Sequence, residues 1–317
     1  MNSDNPTGQA QQTSPPLERT RDGQLLTVNR QAREALRPWV AHVYGLRVDA
    51  PEDQLISCGI FSDGPVVRVL LWGDYHLETR DGPQFYRTGG LYFGPHRRRL
   101  PVTIRGPFAS VGVAFKPGAV EALGLTPPTQ MMDRVVPCAQ AGWDEQAILA
   151  NLDPEAGVDE WMGQLQDYVA IAVDRAGGRL PDPLPEAFNR LAFVDPTLPV
   201  ADCADELGVE LRTLERRIKR AFGLSPKKVL RRARALDMAA HMRGVADHNE
   251  AEELALRYFD QSHLNREFTE LFGMTPVQFV RTPQPIFTTT LEARQARRLE
   301  VLERLPEGAR RPWHQTA

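Results

Sequence analysis

Cysteine is scarce in this chain: three residues in 317, with Cys58, Cys138 and Cys203 far apart. There is no Cys-x-x-Cys pair and no Cys/His cluster. That argues against a structural zinc site and fits a chain kept in a reducing cytoplasm. No apolar run approaches the roughly 20 residues that span a bilayer, so no membrane partner is expected. Residues 1–16 are rich in Gln, Ser, Thr and Pro and lack the basic-then-apolar order of a secretory signal. Gly-x-Ser-x-Gly, phosphate-loop and dinucleotide-binding fingerprints are also missing. The expectation is therefore no catalytic residue, no metal and no cofactor. An excess of positive charge is lacking too. The net charge is -3, so any nucleic-acid surface must be local.

What is present is ordinary for a globular protein: 42% hydrophobic and 25% charged residues, in a chain long enough for two domains. Residues 1–20 read as a disordered lead-in. From about 24 to 116 the pattern is β-like. Val66–Trp72 is a buried strand candidate, Tyr75–Thr79 alternates, and Asp81-Gly82-Pro83 marks a turn. Leu91–Phe93, Val102–Arg105 and Ser110–Phe115 continue the series. Short strands punctuated by Gly and Pro predict a small barrel or sandwich. A short helix is expected over residues 117–124 and an amphipathic helix over Val158–Arg175. The expected class is α+β. A β-rich regulatory domain spans 21–175, a Gly/Pro-rich linker 176–185, an all-helical domain 186–283 and a charged tail 284–317, with a helical stretch over Leu291–Leu305.

Two segments of the helical part share one plan. In the first, Pro199–Leu207 forms a helix, Gly208 supplies the positive φ of a sharp turn, and Glu210 stands at the cap position of a second helix. At 100° per residue, Leu211, Leu214, Ile218, Ala221 and Phe222 fall on a core side. Arg212, Glu215, Arg216 and Lys219 fall opposite. Arg bonds guanine bidentately and Glu accepts from the cytosine amino group, so this face suits a major groove. From Arg212 to Arg243 eleven cations meet only Glu215 and Asp237. Alone, such a run is more often a solvated helix face; in a helix-turn-helix frame it reads as a phosphate footprint.

The second segment comprises Glu250–Arg257 and Asp260–Phe272. Asp260 caps the latter, Leu264, Phe268, Leu271 and Phe272 make its buried stripe, and Ser262, His263, Arg266 and Thr269 point away. Leu230–Met242 would join the two units.

Leu211–Arg217 with Gly223-Leu224-Ser225-Pro226, and Asp260–Phe268 with Gly273-Met274-Thr275-Pro276, resemble the AraC/XylS family of bacterial transcription regulators. The likeness covers about residues 186–281. It implies a double helix-turn-helix domain that binds double-stranded DNA in the cytoplasm. Base contacts carried over are Arg212, Glu215 and Arg216 in unit one, and Gln261, Ser262 and Arg266 in unit two. Phosphate candidates are Arg217, Lys219, Arg220, Lys227, Lys228 and Arg231. Three positions depart from the family pattern: Arg257 stands where Gly is usual, Cys203 replaces Leu and Glu210 replaces Ser. The β-rich half is similar to sensor domains of some members, on Gly94-Pro95-His96, Gly106-Pro107-Phe108 and Gly112–Ala119. That implies control by an effector or by assembly, and leaves open as partners a small-molecule effector of unknown identity, a second copy of the chain and RNA polymerase.

Two other readings remain open at this stage. One is a metal-dependent small-molecule enzyme of cupin-like type with an accessory helical domain; the sequence offers it only His76-Leu77-Glu78, and His76 reads as a surface residue. The other is a scaffold whose helical domain binds protein. His96-Arg97-Arg98-Arg99 could bind an anion, but a solvated loop is the simpler reading. Trp72, Tyr75, Tyr86 and Tyr92 could line a pocket, although core packing explains them more cheaply. Cys138 lacks the His or Arg neighbours that would activate it.

Overall fold

The computed structural model describes residues 28–246 and 261–304. The first half is one antiparallel sheet: β1 (Val28–Arg30), β2 (Val40–Val48), β3 (Leu55–Ile60), β4 (Val66–Thr79), β5 (Gly82–Tyr86), β6 (Gly89–Phe93), β7 (Leu100–Phe115) and β8 (Val135–Pro137). The order is β1-β2-β7-β4-β6-β8, with β3 also on β7 and β5 also on β4. Two long strands organise it. Leu100–Arg105 of β7 pairs with β3, and Phe108–Phe115 pairs with β2. The first half of β4 pairs with β6 and its second half with β5. The sequence pattern reads β4 and β7 as two strands each. In fact the β4–β7 register shifts between Leu70 and Asp74, and such a bulge bends a strand without ending it. Among the described residues no pairing joins β1 to β8. The α+β class is therefore as expected, but the β-rich half is a single bent, unclosed sheet.

Alternation along β7 buries both faces. Ala109, Val111, Val113 and Phe115 pack in a core with Trp161, Leu165 and Val169 of a covering helix. Phe108 and Ala114 face a second core with Tyr44, Leu70, Tyr75 and Phe93. Three helices complete this half: α1 (Ala119–Ala122) between β7 and β8, α2 (Glu145–Ala150), and the covering α3 (Val158–Arg175), which has the expected bounds. Trp161 is fully buried and its indole N–H donates to the Asp153 carbonyl at 2.7 Å. Truncation to Ala there would cost about 3–5 kcal/mol.

The second half is helical: α4 (Pro183–Val194), α5 (Val200–Glu206), α6 (Leu211–Phe222), α7 (Pro226–Met242), α8 (Gln261–Phe272), α9 (Pro276–Arg281) and α10 (Pro285–Val301). Two helices begin earlier than the sequence pattern suggests. The last three residues of the Pro-rich 176–185 stretch already belong to α4, because Pro is tolerated in a first turn that needs no N–H. Asp182 caps it by accepting from Leu184 N at 3.0 Å. For the same reason α7 starts at Pro226, four residues before Leu230. The expected helix at 250–257, Arg257 and the cap Asp260 lie outside the described residues.

The tail helix α10 is not a solvated appendage. It packs between the sheet and α7, and Glu292, Gln295 and Arg298 are all buried. Arg294 forms an ion pair with Asp237 of α7, and both are buried. Asn29 donates to Glu292 at 2.7 Å, Arg298 Nε to the Phe193 carbonyl at 2.8 Å, and Arg297 to Glu186 at 2.9 Å. Phe61 from the sheet completes an aromatic cluster with Phe272, edge-on at 5.5 Å, and Phe272 meets Phe287 at 5.6 Å. The helical half is thus docked on the sheet through these contacts.

Candidate nucleic-acid interface

The first unit is α5, a turn and α6. Cys203 and Ala204 are buried against α6, whose Leu214, Ile218, Ala221 and Phe222 form the inward stripe. Gly208 turns the chain at φ +64°, a conformation that costs a Cβ-bearing residue strain. Glu210 holds the cap position of α6 but its side chain makes no capping bond. One expected core residue is displaced. Leu211, in the first turn of α6, is 44% exposed. On the outward face, Arg212, Glu215, Arg216 and Lys219 are exposed and make no ion pair among the described residues. Such a row is free to meet base edges without first breaking a bond.

The second unit presents α8. Phe268, Leu271 and Phe272 are buried, Phe268 stacking on Phe272 at 4.0 Å and meeting Phe279 of α9 at 5.3 Å. Thr275 and Gln278 form a capping box at the start of α9. Arg266 and Thr269 are exposed, on the face opposite that stripe. Gln261, Ser262, His263 and Leu264 fall on the described backbone of α8, but their side chains lie outside the described residues.

Glu267, which sequence reasoning missed, sets the distance between the units. It is buried, 3.0 Å from Arg231 and 3.5 Å from Arg234 of α7. Arg231 also pairs with Glu270, and these carboxylates hold its guanidinium above its usual range. The one signal that could have found this strut is the i, i+3 spacing of Arg231 and Arg234, which puts both on one side of α7.

The cationic run divides accordingly. Arg217 bonds Asp182, with Nε at 2.5 Å, and Arg220 pairs with Glu121 of α1. Arg231 is the strut just described, so three of the six phosphate candidates are engaged within the chain. Lys219, Lys227 and Lys228 are exposed. Arg232 and Arg243, counted in the run, are buried. Arg232 donates to the carbonyls of Asp63 at 2.6 Å and His96 at 3.2 Å, and burial lowers it to about 10. Arg243 donates to the Thr282 carbonyl at 2.5 Å and sits 4.4 Å over the Phe279 ring; burial lowers it to about 10 as well.

Other candidate chemistry is not assembled. His76 is exposed on β4 and lies against Phe85. Cys138 is buried and its thiol is pushed up, first by burial and then by Glu145, the opposite of activation. Tyr75 and Tyr92 are core residues. The His96–Arg99 loop, expected in solvent, instead packs on the helical half. His96 is buried, and Arg99 N donates to the Leu271 carbonyl at 2.7 Å. Among the described residues no group of three His, Cys, Asp or Glu side chains is placed to hold a metal ion.

Comparison with known proteins adds two family matches. A family described as a helix-turn-helix domain covers residues 203–282, from within α5 to the end of α9. A domain of unknown function, DUF6597, covers residues 29–137, essentially the sheet. No curated protein matches the chain. Among solved structures, fatty-acid-bound ToxT from Vibrio cholerae strain SCE256 is 11% identical, with 75% of this chain and 93% of that one covered, at a TM-score of 0.42. ToxT from Vibrio cholerae O395 is 9% identical, with 75% and 97% covered, at 0.42. The C-terminal domain of AraT, a response regulator from Geobacillus stearothermophilus, is 25% identical, with 32% and 88% covered, at 0.28. At those scores the superpositions carry no argument; the helix-turn-helix match rests on sequence.

Proposed function

We propose that the chain is a DNA-binding transcription regulator of the AraC/XylS type, a reading supported by its helix-turn-helix family match, and that it reads two successive major grooves on one face of the duplex with α6 and α8. The carrying observation is the outward row Arg212, Glu215, Arg216 and Lys219, exposed and without an ion pair among the described residues, on a helix whose opposite side buries Leu214, Ile218, Ala221 and Phe222. Arg212, Glu215 and Arg216 take base edges in one groove. Gln261, Ser262 and Arg266 take them in the next. Lys219, Lys227 and Lys228 take phosphates. Arg217, Arg220 and Arg231 reach phosphates only by leaving their carboxylate partners.

In this reading the sheet is the regulatory part, and control by a small-molecule effector passes through its packed contact with α7 and α10. A cytoplasmic location follows from where the DNA is. Pairing with a second copy and contact with RNA polymerase complete the scheme; sedimentation and polymerase pull-down test them. For the groove assignment itself, hydroxyl-radical footprinting on a bound fragment should show two protected segments about 10 base pairs apart on one face. A single protected segment would limit base reading to one helix.

A further inference from the structure

A cleft of about 490 Å³ lies between the two halves of the molecule. Ligand pockets run from about 300 to 1,000 Å³, so it is large enough for a metabolite. Its walls come from the ends of β4 and β7 and the loop between β6 and β7 on one side, and from α7 and α8 on the other. Seven cationic side chains line it against three carboxylates. Two of those carboxylates are already neutralised: Asp133 accepts from Arg97 N at 2.6 Å and Arg97 Nε at 2.5 Å, and Glu270 pairs with Arg231. Arg80, Arg98 and Lys228 remain, exposed and with no side-chain partner among the described residues. Arg98 belongs to the sheet half and Lys228 to the helical half, yet both help to pull the Glu270 carboxyl down, after the larger effect of its bond to Arg231.

An independent observation points to an anion. His96 lines the same cleft and is 1% exposed. Ser62 N donates to its Nδ1 at 3.3 Å, so the ring proton resides on Nε2. That Nε2–H is buried and has no acceptor among the described residues. Burial keeps the ring neutral, with its pKa lowered to about 4, so it offers a hydrogen bond without competing as a charge. A buried donor left unmade is costly, and a ligand oxygen would satisfy it.

We propose that this cleft binds a small, multiply charged oxyanion, its oxygens bridging Arg98 of the sheet half and Lys228 of the helical half and accepting from His96 Nε2–H. Such a ligand would tie the two halves together beside the first turn of α7. It would be the effector class for the regulator described above, and the proposal rests on that reading. A ligand in the cleft would compete with a duplex phosphate for Lys228.

The test is calorimetry on the full chain with two probes, pyrophosphate for phosphoryl ligands and citrate for carboxylate ones, against sodium chloride at matched ionic strength. One of the two should bind at a single site. Arg98→Gln/Lys228→Gln, both exposed positions, should weaken it by about tenfold or more, the scale of losing one charge-assisted contact. His96→Phe, which keeps a buried ring but removes the donor, should weaken it comparably. If that variant misfolds by circular dichroism, the double variant decides. Failure of both probes to saturate one site, or equal affinity in wild type and the double variant, would overturn the proposal. So would loss of general duplex binding in the double variant with no oxyanion binding in wild type, which would assign the cleft to the DNA surface. Duplex binding by wild type, measured in the same buffer, reports separately on the regulator reading.

Discussion

Glu267 of α8 lies 3.0 Å from Arg231 of α7, and both side chains are largely buried. The pair ties α8 to the helix that follows α6, and so links the two helices proposed to read the grooves. Arg231, a cation that sequence pattern assigns to phosphate, serves here as an internal strut.

Glu267→Gln keeps the shape and removes the charge, leaving Arg231 with Glu270 alone. The expected cost is about 1.5–3 kcal/mol, the range for a hydrogen bond to a charged group. Urea denaturation reads it. The variant should also lose affinity for sites that need both grooves, and unchanged stability with unchanged binding would remove the strut from the account.

The buried Asp237–Arg294 pair makes a second prediction. Removing one partner strands the other charge, which typically costs about 3–5 kcal/mol. Asp237→Ala should therefore lower stability far more than removal of the exposed Arg47–Asp49 pair, which should cost at most about 1 kcal/mol. Equal midpoints for the two variants would mean that α10 contributes little to holding the halves together.

Arg216 and Lys219 lie on the same face of α6 but should behave differently. Arg216→Ala is expected to cost about 1–3 kcal/mol at a specific site and to relax sequence choice there. Lys219→Gln and Lys227→Gln should weaken all duplexes and lower the slope of log affinity against log salt by about 0.9 each. A sequence-independent loss for Arg216→Ala would make it a phosphate contact.

His96 gives a pH signature. Its folded pKa, about 4, lies below the ordinary value near 6.5. Between those values the unfolded chain binds the proton and the folded chain does not. The neutral ring's contribution is therefore complete above pH 6.5, declines as pH falls, and levels off below about 4, a loss of about 3 kcal/mol. His96→Phe should flatten that part of the pH profile relative to wild type. Parallel profiles would assign the titration to other groups.

Much of the fold is legible in the sequence, for physical reasons. α3 and α6 have a clear 3.6-residue period and distinct ends, and their bounds were readable. The sequence pattern breaks β4 and β7 because a bulge and the Gly106-Pro107 step interrupt the alternation, while the β4–β7 ladder resumes on both sides of them. Leu211 fits the apolar stripe by angle, but periodicity does not report whether a neighbouring element covers that first turn. The engaged cations were illegible because Asp182, Glu121 and Glu267 reach them only through tertiary packing. The tail was the least readable part. Its buried Glu292, Arg294 and Arg298 look like surface residues until Asn29, Asp237 and the Phe193 carbonyl are placed beside them. Gly223 of the first motif ends α6 at φ +72° and also lets the halves approach, since a Cβ there would run into the Met132 side chain.

Sequence reading by α6 and α8 is what sets this chain apart from a general duplex binder. Enrichment of fragmented genomic DNA on the full chain at physiological salt tests it most directly, with Arg216→Ala/Arg266→Ala as control, repeated with pyrophosphate and with citrate added. The account predicts a shared motif recovered by wild type and lost by the double variant. Recovery of the same motif by both proteins, or of no motif under any of the three conditions, would contradict it.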